Sequence, residues 1–182
     1  MPVPTADLKK AVARLSEKEK EALVLRAVRR DAELHDALRY ELLPDVTLES
    51  VYEVSADRIH ELFNVAVSGR LLNRSLVKAL RGAVQEAARA RRVTKSRQLE
   101  IDLSLYALRI IFENYSGQFD SEYSGFFTGT ARLAARLAKL IPKELHEDLW
   151  LEYGPELDEF LGQLHARRKS RELKFELPRE MG

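Results

Sequence analysis

At 182 residues, with 30 Lys and Arg against 29 Asp and Glu, the chain has room for one sizeable domain and a formal net charge of only +1. The complete lack of cysteine excludes disulfides, zinc–thiolate centres, iron–sulfur clusters and a thiol nucleophile. Near-zero net charge gives no global pull toward nucleic acid or an anionic membrane, so any such affinity has to come from a local patch.

The start, Met1-Pro2-Val3-Pro4-Thr5-Ala6-Asp7, has no charged segment leading into an apolar run, and no apolar stretch approaches membrane-spanning length. A cytoplasmic, non-membrane protein is therefore expected. Glycine and proline are few, and Ala, Leu, Glu, Arg and Lys dominate, the residues that lose least on entering a helix.

Thr5 reads as the N-cap of a first helix running to about Arg14. Ser16-Glu17-Lys18-Glu19 is a capping box, and Leu23, Val24, Ala27 and Val28 supply the apolar stripe behind it. Asp31 reads as the next N-cap, before Leu34, Ala37, Leu38, Leu42 and Leu43, with Pro44 as the stop. A short helix is expected over 47–53, and a second one capped by Ser55 carries Ile59, Leu62, Phe63, Ala66 and Val67 to a Ser68-Gly69 stop.

A long helix follows from about Asn73 to Arg91. Thr94 then opens a helix to Tyr115 that is apolar over much of its circumference (Leu99, Ile101, Leu103, Leu105, Leu108, Ile110, Ile111), the pattern of an element covered on several sides. Residues 116–125 read as a loop, and 126–140 as a helix with Leu133, Ala134, Leu137 and Leu140 inward. Ile141-Pro142 and Gly154-Pro155 each signal a stop and a restart, the last helix carrying Leu157, Phe160, Leu161 and Leu164.

No stretch longer than about five residues alternates with period two, except around Leu173–Leu177, so no sheet is expected. The predicted fold is all-α: eight to nine antiparallel helices as a compact bundle or a short stack of helical hairpins. One helical domain is expected over 1–170, with a polar tail over 171–182.

Phosphate-binding glycine loops, a dinucleotide-binding turn, a serine elbow and a His-Glu-x-x-His metal motif are all missing. The four histidines are scattered, and the one carboxylate–histidine pair at helical spacing, Asp57 and His60, reads as a surface pair. Catalytic, cofactor-binding and metal-ligating residues are accordingly expected to be none.

Two features stand out. Residues 70–97 hold nine basic residues against Glu86 alone, whereas 31–61 hold nine acids against Arg39 and Arg58. Arg74, Lys78, Arg81, Arg89 and Arg92 share a narrow arc of their helix and, with Lys95 and Arg97, make an anion- or nucleic-acid-binding face. The competing expectation is that this face is solvated, or paired with the acidic segment. The second feature is an aromatic group within sixteen residues, Phe112, Tyr115, Phe119, Tyr123, Phe126 and Phe127, interrupted by Gly117 and Gly125. It reads either as packing that pins a helix connection or as an anchor pocket for a partner.

Leu15-Ser16-Glu17-Lys18-Glu19-Lys20-Glu21-Ala22-Leu23 with Asp31-Ala32-Glu33-Leu34-His35, and later Phe112 to Asp120 with Phe126-Phe127, resembles small bacterial all-helical proteins of unknown function. The resemblance implies the fold class and carries over no site residue. The sequence thus points to an intracellular helical interaction or scaffold module without enzymatic activity. A protein partner or a second copy of the chain would bind it; the alternative is a nucleic-acid-associated protein using the face at 70–97.

Overall fold

The computed structural model describes residues 3–168 and 173–181. Among the described residues there are eight α-helices and no strand. They divide into two compact units, Met1–Asp45 and Val46–Gly182.

The first unit holds α1 (Ala6–Ala13), α2 (Glu17–Val28) and α3 (Ala32–Leu42), with α2 packed on α3. Its starts are set where the side chains dictate. Thr5 accepts from the Leu8 amide at 3.3 Å, and Asp31 accepts from the Glu33 and Leu34 amides at 2.9 and 3.1 Å. Ser16 and Glu19 close their box with the Ser16 amide 2.8 Å from the Glu19 carboxylate. None of the three helices contains a buried residue.

The second unit is built on α4 (Leu48–Phe63), α5 (Gly69–Thr94), α6 (Arg97–Tyr115), α7 (Ser124–Glu144) and α8 (Trp150–Arg168), with 3-10 turns at Ser116–Asp120 and Glu147–Leu149. The expected break at Ser55 does not occur. Ser55, Ala56, Ile59 and Phe63 continue one inward face, so packing carries a single helix through 48–63 and buries Ser55 within it.

Ser68-Gly69 opens α5 instead of closing α4. Gly69 takes φ +62°, a conformation that costs L side chains energy and glycine almost nothing. Thr94 ends α5 instead of starting α6: its hydroxyl turns back to the Ala90 carbonyl at 2.8 Å, and Ser96 is the cap of α6, accepting from the Leu99 amide at 3.1 Å.

Both proline signals are overridden. Pro142 lies in the last turn of α7 and Pro155 is the sixth residue of α8, so each forfeits one helical hydrogen bond that packing of the helix outweighs. Gly129 permits the close approach of α7 to α5, since a Cβ there would stand 2.7 Å from a Leu80 methyl.

Helix α6 is the centre of this unit. It packs on α4, α5, α7 and α8, and Ile101, Leu103, Leu105, Leu108 and Ile111 are all at most 1% exposed. The segment read as a polar tail is anchored over 173–181. Leu177 is buried, the Pro178 carbonyl lies 2.8 Å from His165 Nε2, and the Met181 amide donates to Asp158 at 2.6 Å. Residues 171 and 172, the expected start of that tail, lie outside the described residues.

The two-residue link between α5 and α6 forces Lys95 into the left-handed region, φ 63°, where its amide donates to the Arg91 carbonyl at 2.8 Å. Only glycine occupies that region without strain. Lys95→Gly is therefore expected to raise stability by about 1 kcal/mol, read as a higher denaturant midpoint at unchanged m value; a lower midpoint would contradict this account of the link.

Candidate functional site

Helical spacing puts Gln98, Asp102, Leu105 and Arg109 along one side of α6. Opposite them stand Leu48, Glu49 and Tyr52 from the first turns of α4, and Glu152, Tyr153 and Glu156 from the start of α8. Together with Ser96 and Leu99 they enclose a pocket of about 470 Å³, within the size range of small-ligand sites.

Four of its side chains are carboxylates and one is cationic. That cation is already held: Arg109 makes a two-pronged pair with Glu156, Nη2 donating to Oε2 at 2.7 Å and Nε donating to Oε1. The hydrogen bond to Glu156 is also what holds the Arg109 pKa above its ordinary value. Glu49, Asp102 and Glu152 are left to set the sign of the pocket.

Asp102 is the deepest of these three. Its Oδ1 accepts from the Tyr153 hydroxyl at 2.7 Å, and that hydroxyl accepts from Gln98 Nε2 at 3.1 Å. Burial pushes the Asp102 carboxyl above the ordinary aspartate range, the Tyr153 hydrogen bond opposing it and the Glu152 charge adding to it. Burial likewise raises the Tyr153 and Tyr52 phenols, so both rings are neutral donors at physiological pH. Tyr52 leans edge-on against Tyr106, centroids 6.5 Å apart. The pocket is thus a polar, negatively biased crevice with two aromatic walls.

Of the basic residues singled out in the sequence, five lie on α5 and Arg97 lies on α6. Arg74, Lys78 and Arg81 stand exposed on α5. Arg89 pairs with Glu86 on its own helix at 3.0 Å, and Arg58 of the acidic segment joins the same carboxylate at 2.9 Å. Arg92 is exposed, and Lys95 Nζ donates to the Arg92 carbonyl at 2.8 Å, closing the end of α5. Arg97 belongs to α6 and turns to Glu100 at 3.0 Å and Glu144 at 3.5 Å.

The aromatic group is divided by burial. Phe119, Phe126 and Phe127 are fully buried; Phe119 contacts Phe112, Phe126 and Phe127 with centroids 5.4–5.7 Å apart. Phe112 stacks on Phe160 at 4.4 Å, and the Tyr115 hydroxyl donates to the Phe63 carbonyl. Tyr123 is 40% exposed, but its carbonyl accepts from the buried Asn73 amide at 3.2 Å, which ties the connection to α5. Asp57 and His60 are exposed, and among the described residues no three metal-ligating side chains converge.

No protein-family model matches the chain, and neither a curated protein nor a solved structure matches it. Function therefore has to be argued from the geometry.

Because Phe119 sits at the hub of the ring contacts and Tyr123 at their edge, the two substitutions separate. Phe119→Ala is expected to cost about 3–5 kcal/mol and Tyr123→Ala about 1 kcal/mol or less. Chemical denaturation measures both; a similar cost for the two would show that the cluster is not a core.

Proposed function

We propose that this chain is a helical interaction module that takes a cationic side chain, lysine or arginine, of a protein partner into the pocket between α4, α6 and α8. The observation that carries this reading is the pairing pattern within the pocket: its one guanidinium is neutralised by Glu156, while Asp102, Glu152 and Glu49 face the same space without a cation. Carboxylates beside Tyr52 and Tyr153 suit a guanidinium or ammonium group, which gains from charge and from hydrogen bonding together. Arg109 shows within the molecule how such a group sits there.

The first unit supports the same class of partner. Leu8, Val12, Leu23, Leu25 and Leu42 are exposed on α1, α2 and α3, helices that contain no buried residue. An amphipathic helix with this deficit gains its burial on a protein surface.

The pH dependence follows from Asp102. Its folded-state pKa is raised, so the folded chain holds that proton to higher pH than the unfolded chain does. Stability from this proton is present at low pH and is lost as pH rises from the ordinary aspartate value through the raised one. Asp102→Asn, which keeps an acceptor for Tyr153, is expected to leave stability at neutral pH unchanged or higher and to remove that part of the pH slope. Thermal melts at pH 4 to 8 read the effect.

A cationic ligand needs the ionised form, so affinity is expected to rise over the same interval. Calorimetric titration with a short arginine-containing peptide is expected to give binding that Asp102→Asn/Glu152→Gln weakens at least tenfold. Equal affinity of the variant, or affinity that falls with rising pH, would refute the reading.

A further inference from the structure

Glu100 lies in the first turn of α6, roughly 160° around the helix from Asp102, and is 1% exposed. Three guanidiniums close on its carboxylate: Arg91 Nε at 3.2 Å, Arg97 Nη1 at 3.0 Å, and Arg136 Nη2 in a short contact. One carboxylate cannot satisfy three forks of five donors each. Arg91 Nε, buried, lies within ion-pair distance of that carboxylate but is not aligned to hydrogen-bond to it. Glu100 thus acts as a pin that holds three arginines, each about one-third to one-half exposed, in a fixed array with surplus positive charge.

The array continues along α7. Arg132, Arg136, Lys139 and Lys143 recur at spacings of four, three and four, so they fall on one side of the helix, in a row about 16 Å long. This row borders a groove of about 470 Å³ whose far wall carries Phe175, with Arg132 over the ring at 5.5 Å. Glu144, which meets Arg97 at 3.5 Å and Lys143 at 3.9 Å, and Glu176 are the other acids beside it. Six cations therefore stand against three carboxylates, one of them buried.

We propose that this surface, the Glu100-pinned arginines with the α7 row, binds the phosphate backbone of a single-stranded nucleic acid. A row of this length meets several successive phosphates, more than a single small anion offers, and an aromatic wall beside the cations is what base stacking uses. None of the exposed large apolar side chains lies on α7, so the surface lacks the inserting residues of a membrane-bound helix. The site is separate from the acidic pocket and stands or falls independently of it.

The test is fluorescence polarisation of the full chain with labelled single-stranded DNA and RNA 20-mers of mixed sequence, from about 20 to 300 mM salt. The unmodified chain is expected to bind at low salt with a salt-dependent affinity. Lys139→Glu/Lys143→Glu is expected to weaken binding at least tenfold and to lower the salt slope by about 2, whereas Lys139→Arg/Lys143→Arg retains it. Arg74→Glu/Lys78→Glu/Arg81→Glu, on the exposed face of α5, is expected to change affinity less than threefold. If the reversed-charge variant melts earlier than the unmodified chain, Lys139→Gln/Lys143→Gln decides instead, with a loss of more than threefold expected. No binding at low salt, binding indifferent to Lys139 and Lys143, or binding abolished by the α5 substitutions would each overturn the proposal. Adsorption to phosphatidylserine vesicles in preference to nucleic acid would overturn it as well.

Discussion

Burial of α6 on nearly every side is the constraint on which the second unit depends. Where the helix is enclosed, a polar side chain needs a partner or a crevice. Ser104 takes the first route, turning its hydroxyl to the Glu100 carbonyl at 2.6 Å. Glu100 collects three arginines. Asp102 takes the second route: it accepts from Tyr153 and opens into the pocket, and Arg109 at its far end is clasped by Glu156. The features that suggest function are thus consequences of placing charged residues on a core helix.

Those charges are sorted by side. Pocket carboxylates from α4 and α8 gather on one side of α6, and cations from α5, α6 and α7 gather around Glu100 on another. A chain with a formal charge of +1 can therefore present two locally opposite potentials. Burying Glu100 alone would be expensive; three guanidiniums offset the cost and in doing so preorganise themselves. The same carboxylate that stabilises the turn between α5 and α6 sets the geometry of the basic surface.

The sequence carried the fold well where a single helix decides the matter. The apolar circumference from Leu99 to Ile111 marks α6 as central, and Thr5, Ser16 and Asp31 cap helices as their side chains require. It misled where neighbours outvote local preference, as at Ser55, buried in an unbroken α4, and at Pro142 and Pro155, each tolerated near a helix end. The pocket was not legible. Glu49, Asp102 and Glu152 come from three helices far apart in the chain, and no linear spacing joins them. Two signals were available. Glu100 and Asp102 are the two acids set among the apolar residues from Leu99 to Ile111, and Arg132, Arg136, Lys139 and Lys143 have strict helical spacing.

The central claim is that the α4–α6–α8 crevice is a cation-recognition pocket. Amide chemical-shift mapping of the full chain during titration with N-acetyl-arginine amide tests it most directly. The account predicts saturable shifts concentrated at Tyr52, Gln98, Asp102, Glu152 and Tyr153, and lost in Asp102→Asn/Glu152→Gln. Shifts absent from those residues, or spread evenly over the exposed acids of α3 and α4, would contradict it.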